Sequence, residues 1–106
     1  MRLTQPTDFE ILEAVSDGKR NTGANIAMEK DIDRGYVNAQ LPKLADYGLL
    51  KKIGPAEKSG LYQITTLGMI AVRWRDKYEE TEDFETKIKN KQEMMEQNTE
   101  SAKFNR

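Results

Sequence analysis

"DIDRGYVNAQLPKLADYGLL", residues 31–50, is the stretch on which the fold turns. Val37, Leu41 and Leu44 recur at spacings of four and three with Ala45 beside them, which is one apolar stripe of an α-helix. Asp33 supplies the N-cap, Ile32 before it can staple onto Val37, and Gly48 ends the run, so the pattern predicts a helix over about 33–47. At ~100° per residue the opposite face carries Gly35, Ala39, Pro42 and Asp46, with Tyr36 and Lys43 on one shoulder and Asn38 on the other. Small residues dominate the middle of that face. Pro42 removes the amide that would reach the Asn38 carbonyl, which predicts a kink costing roughly 3 kcal/mol. Its ring lies on the outer side, where a convex bend is best tolerated.

Upstream, "TDFEILEAV" (7–15) has Thr7 and Glu10 at capping-box spacing and an apolar stripe of Ile11, Leu12 and Val15. Gly18 in "SDGKRNT" ends that helix, and Thr22 caps a short second one, "GANIAMEK" (23–30), which offers Ala24, Ile26 and Ala27 as a small buried face. The turn between the second and third helices is short. Downstream the period changes: "LLKKI" (49–53) and "GLYQI" (60–64) flank "GPAEKS", which reads as a hairpin. Thr65 or Thr66 then caps a fourth helix, "LGMIAVRWRDKYEE" (67–80), with Leu67, Ile70, Ala71, Trp74 and Tyr78 on one side and Trp74 as an anchor for the core or an interface. The residues from 81 to 106 are strongly polar, a helical extension or a disordered tail.

This order predicts a mainly α fold with a small β-hairpin: a winged helix-turn-helix with a three-helix core, a wing at 49–64 and a C-terminal helix, all within 1–80. In such a motif the second of the paired helices presents its N-terminal half to the major groove. Gly35 and Ala39 would then let the backbone approach base edges, while Arg34, Tyr36, Asn38, Gln40 and Lys43 surround them with groups that pair with bases or phosphates. Lys51, Lys52 and Lys58, on or near the wing, would meet phosphates.

Composition bounds the alternatives. The chain has 106 residues, 37% hydrophobic and 33% charged, which fits one modest core with some length left outside it. It has no Cys and no His, so the usual thiol nucleophile, general base and zinc ligands are absent, and no Gly-rich phosphate loop or nucleophile elbow is present. Glu79, Glu80, Glu82, Asp83 and Glu85 crowd together, but on a polar helix such a cluster solvates a face. No catalysis, no cofactor and no metal are expected. No apolar run approaches the ~20 residues of a membrane span, and the first ten residues lack the apolar stretch of a secretory signal, so a cytoplasmic location is expected. The net charge is −1, yet residues 19–58 carry eight bases against five acids, a local excess of +3.

The segment "NTGANIAMEKDIDRGYVNAQLPKLADYGLLKKIGPAEKSGLYQITTLG" (21–68) resembles the phage phi-H repressor-like family of archaeal winged-helix proteins: "NIA", "RGYV", "LADYGLL" and a "GLYQITTLG" wing follow in the same order and spacing. The resemblance covers about residues 7–80. It implies a DNA-binding transcriptional regulator, a repressor by family, with Arg34, Gly35, Tyr36, Asn38 and Lys43 in the matching helix. Pro42 departs from the pattern, and residues beyond Glu80 have no part in it.

Two rival ligands are a protein partner, since the fold is a scaffold that does not fix its ligand, and RNA, which needs exposed stacking aromatics beyond Tyr36. A single winged module buries roughly 600–1,000 Å² on duplex DNA, so specific regulation predicts a homodimer on two half-sites. The C-terminal helix, through Ile70, Trp74 and Tyr78, is the expected pairing surface.

Overall fold

The computed structural model, which describes residues 1–54 and 60–104 and side chains as far as Glu96, is mainly helical with a three-stranded antiparallel sheet. The order is α1 (Thr7–Ala14), β1 (Asn21–Thr22), α2 (Gly23–Lys30), α3 (Arg34–Asp46), β2 (Leu50–Ile53), β3 (Leu61–Ile64), α4 (Thr66–Arg73), a 3-10 turn (Arg75–Lys77) and α5 (Phe84–Phe104). One core joins them. Phe9, Ile11, Leu12 and Val15 of α1, Ile26 of α2, and Val37, Leu41 and Leu44 of α3 are all buried in it.

The caps that set these elements are mostly local. Thr22 Oγ1 accepts from Asn25 N–H at 3.3 Å, Asp33 Oδ2 from Tyr36 N–H at 3.0 Å, and Thr65 Oγ1 from Gly68 N–H at 3.0 Å. Each satisfies a helix-terminal amide that has no partner inside its helix. α1 departs from expectation: the residue before it is Pro6, and no side chain caps it. Its first turn is held instead by Asp8, which accepts Thr4 N–H at 2.7 Å and donates its own N–H to Thr4 O at 2.8 Å.

Between α2 and α3, Asp31 adopts φ 53° and Ile32 N–H reaches Ala27 O at 3.0 Å, so the chain reverses within three residues. α3 runs through the exposed Pro42 and closes at Gly48, φ 83°, with Gly48 N–H on Ala45 O at 2.9 Å and Leu49 N–H on Leu44 O at 3.0 Å. Leu44 and Leu49 are both buried, which supplies the apolar contact of such a helix end. Thr65 Oγ1 donates to Gly48 O at 2.6 Å, tying the start of α4 to this turn.

β2 and β3 pair as the expected hairpin, Leu50 opposite Ile64 and Lys52 opposite Tyr62. Residues 55–59, which include Lys58 and most of the expected turn, lie outside the described residues. The two-residue β1 pairs with the other edge of β3 and was not expected, being too short to show a period. Gly68 is a close-approach position, since a Cβ there would sit 2.2 Å from Leu49 O.

The C-terminal third differs most from its sequence reading. The fourth helix stops at Arg73 instead of reaching residue 80, and Trp74 and the 3-10 turn redirect the chain. The gain is aromatic packing: Tyr78 lies against Phe9 and Phe84 at ring-centroid distances of 5.5 and 5.1 Å in edge-to-face geometry, and its hydroxyl accepts Leu3 N–H at 2.9 Å. Arg75 lies over the Phe9 ring and pairs with Glu13. Phe84 and Ile88 of α5 belong to the same core, so the core crosses the boundary expected at residue 80.

The expected pairing surface is only partly exposed. Ile70 is buried, and the half-buried Tyr78 is engaged by Phe9, Phe84 and Leu3. Trp74, like Tyr78, is half-buried, with Lys77 Nζ 5.3 Å from its ring. Among the described residues no helix is long and apolar enough to cross a membrane.

Candidate nucleic-acid interface

α3 has two unlike sides. Val37, Leu41 and Leu44 turn into the core, whereas Arg34, Gly35, Asn38, Ala39, Pro42, Lys43 and Asp46 are exposed. The middle of the outer side is therefore small and uncharged, with a guanidinium and an amide on one shoulder and an ammonium on the other. A cylinder with so little bulk on one side can approach a complementary surface backbone first, leaving the flanking groups to reach around it.

The two remaining expected contacts are placed differently. Tyr36 and Gln40 are half-buried, and their polar ends point back to α1: the Tyr36 hydroxyl donates to Asp8 Oδ1 at 3.0 Å, and Gln40 Nε2 lies 3.0 and 3.2 Å from the two Asp8 carboxylate oxygens. Burial, reinforced by the neighbouring Asp8 carboxylate, pushes the Tyr36 hydroxyl above its ordinary value of 10.0. It stays a protonated donor at neutral pH. Both residues hold α3 against α1 rather than presenting donors outward.

Asn38 has a second engagement. Its Oδ1 lies over Gly23 at the start of α2, where a Cβ would be 2.2 Å away, so the absence of a side chain at Gly23 is what gives the amide its place. Lys51 and Lys52 are exposed on β2, which leaves α3 directly through the Gly48 turn. Lys43, Lys51 and Lys52 thus follow one another along the end of α3 and the first hairpin strand.

Neither family models, characterised proteins nor solved structures gave a match to this chain. The site therefore stands on its geometry.

Asp8 is the buried residue behind this arrangement that sequence reasoning passed over. It is fully buried, the sole buried charged side chain of the described core. The signal was present: Asp8, Ile11, Leu12 and Val15 share one helical stripe, and an acid on an apolar stripe needs donors from another element. Elsewhere the acidic run resolves into separate jobs. Asp83 accepts from Thr86 N–H and Oγ1 at the start of α5, and Glu85 pairs with Lys89 and the Met1 ammonium. Among the described residues no group of three His, Cys, Asp or Glu side chains is arranged to hold a metal ion.

Proposed function

We propose that this protein is a winged helix-turn-helix regulator that binds duplex DNA with sequence preference, α3 entering the major groove and the β2–β3 hairpin lying along the phosphate backbone. The observation that carries the reading is the outer side of α3: Gly35 and Ala39 exposed at its centre, Arg34, Asn38 and Lys43 exposed around them. The short α2–α3 turn and the hairpin that follows α3 support it, as does the resemblance to the phage phi-H repressor-like family, which favours repression as the outcome. In this reading Arg34 and Asn38 read bases, Lys43, Lys51 and Lys52 meet phosphates, and Tyr36 and Gln40 position the helix. The role is binding, not catalysis.

Selection of bound sites from random duplex DNA tests it, with enrichment of a common sequence expected. On that sequence Arg34→Ala should weaken binding by about 1–3 kcal/mol while changing affinity for unrelated duplex much less. Lys51→Gln and Lys52→Gln should weaken both duplexes alike and reduce the slope of log affinity against log salt by about one each. No enrichment together with a flat salt response defeats the reading.

One observation favours a second reading, a protein-docking module. Met28 is 83% exposed beside a hollow of about 320 Å³ lined by Ala24, Ala27, Met28, Asp31, Ile32 and Arg34. A partner seated there would be sensitive to Met28→Glu and indifferent to Lys51 and Lys52.

A further inference from the structure

We infer that Asp8, on α1 and away from the outer side of α3, is a positioning residue that fixes how α3 is rotated about its own axis and thereby sets sequence discrimination. The geometry stands by itself; its consequence for discrimination rests on the duplex-binding reading above.

Asp8 is fully buried and its carboxylate meets donors from two other places in the chain, Thr4 N–H at 2.7 Å and the Tyr36 hydroxyl and Gln40 amide of α3. No buried side-chain nitrogen or oxygen among the described residues lacks a partner, so the cluster is closed. Its place in the first turn of α1 is where the helix dipole favours an anion. Tyr36 and Gln40 are one turn apart on the same shoulder of α3, about 6 Å along the axis. Both attach off the axis on one shoulder, so a roll of α3 about its own axis would have to stretch both bonds to the same carboxylate.

Roll matters because of what the outer side has to do. Atoms ~5–6 Å from the axis move ~2 Å for a rotation of ~20°, more than the distance range of a hydrogen bond permits. The far end of α3 is held independently by Leu41, Leu44 and the Gly48 turn. The first two turns, which carry Arg34, Gly35, Asn38 and Ala39, depend on the core contact of Val37, on the α2 contact at Gly23 and on the Asp8 cluster. Only the last is directional on the Tyr36 shoulder. It also explains why a tyrosine and a glutamine face inward on a helix whose neighbouring positions are exposed.

A double-mutant cycle on the full chain tests the inference, using a duplex selected by the unsubstituted protein and an unrelated duplex, with thermal melts of every variant. Asp8→Ala is expected to lower the ratio of selected to unrelated affinity by roughly tenfold, the discrimination of one well-made base contact, at unchanged salt slope. Asp8→Asn, whose side-chain oxygen still accepts, should fall between. Tyr36→Phe should lower the ratio in the unsubstituted protein and have a much smaller further effect beside Asp8→Ala, because the hydroxyl then keeps only Thr4 as a partner. If Tyr36→Phe has the same effect in both backgrounds, the hydroxyl acts on DNA and the inference is overturned; an unchanged ratio in a folded Asp8→Ala chain overturns it equally. Should Asp8→Ala fail to fold, the Asp8→Asn and Tyr36→Phe cycle carries the same comparison through its coupling. Absence of any preference in the unsubstituted protein overturns the duplex-binding reading itself, before any variant is made.

Discussion

Asp31 holds the turn between α2 and α3 at φ 53°, a left-handed conformation in which Cβ crowds the following carbonyl. Aspartate tolerates this region better than most residues, but glycine has no Cβ to crowd. Asp31→Gly is therefore expected to stabilise the fold by about 0.5–1 kcal/mol, read as a higher denaturant midpoint at unchanged slope. A lower midpoint would mean that the Asp31 side chain holds the turn by a contact of its own. Tyr36 and Gln40 teach a related lesson about single residues. Their polarity and their neighbours on α3 pointed outward, and only the partner 28 and 32 residues upstream decides that they turn in.

At the scale of the element, α5 shows how charge sets a helix start. The side chain and backbone N–H of Thr86 hydrogen-bond Asp83 and hold its carboxyl below the ordinary value of 3.8. The Lys89 ammonium, with the Met1 ammonium second, lowers Glu85 from 4.5 to about 2. A carboxyl whose folded value is depressed stabilises above its ordinary value and loses that contribution as pH falls through the folded one. The start of α5 should hence loosen as pH drops from about 4.5 towards 2, seen as faster amide exchange in residues 84–90. Glu85→Gln should flatten that response. Because both partners of the Glu85–Lys89 pair are well solvated, the effect on global stability should be small.

The elements also divide by how far the sequence revealed them. Thr22, Asp33 and Thr65 announce their helices because a cap bonds to an amide three residues on, and the β2–β3 hairpin follows from two short apolar runs on either side of a Gly and Pro turn signal. The exposed Arg34, Gly35, Asn38, Ala39 and Lys43 were legible for the same reason, as the complement of the Val37, Leu41 and Leu44 stripe. β1, the halt of α4 at Arg73 and the inward Tyr36 and Gln40 were not. Each is decided by a partner distant in sequence: β3 for β1, Phe9 and Phe84 for the turn at Trp74, Asp8 for the α3 shoulder. A helical period continues through Trp74 and Tyr78 in the sequence, but packing Tyr78 between two phenylalanines outweighs a further turn of helix.

The whole molecule is built so that its C-terminal third closes a core begun by its first helix. Phe9 meets Tyr78 and Phe84, Leu3 N–H meets the Tyr78 hydroxyl, and Ile88 is fully buried, although the stretch that resembles a winged helix ends near residue 80. Truncation after Glu80 therefore removes two core side chains rather than a dispensable extension. Deleting one large buried apolar side chain costs about 2–5 kcal/mol, against a total stability of about 5–15 kcal/mol for a domain. The shortened chain should melt far below the full one or fail to fold. Phe84→Ala in the full chain should reproduce much of that loss, by about 3–5 kcal/mol. Because the same aromatic cluster seats α1, and α1 carries the Asp8 that holds α3, loss of Phe84 should reach the outer side of α3 as well. Thermal melts of the two chains decide the first point, and binding to the selected duplex well below the melting point decides the second. An 80-residue chain that melts with the full protein and binds equally would show that the first four helices and the sheet are sufficient without α5.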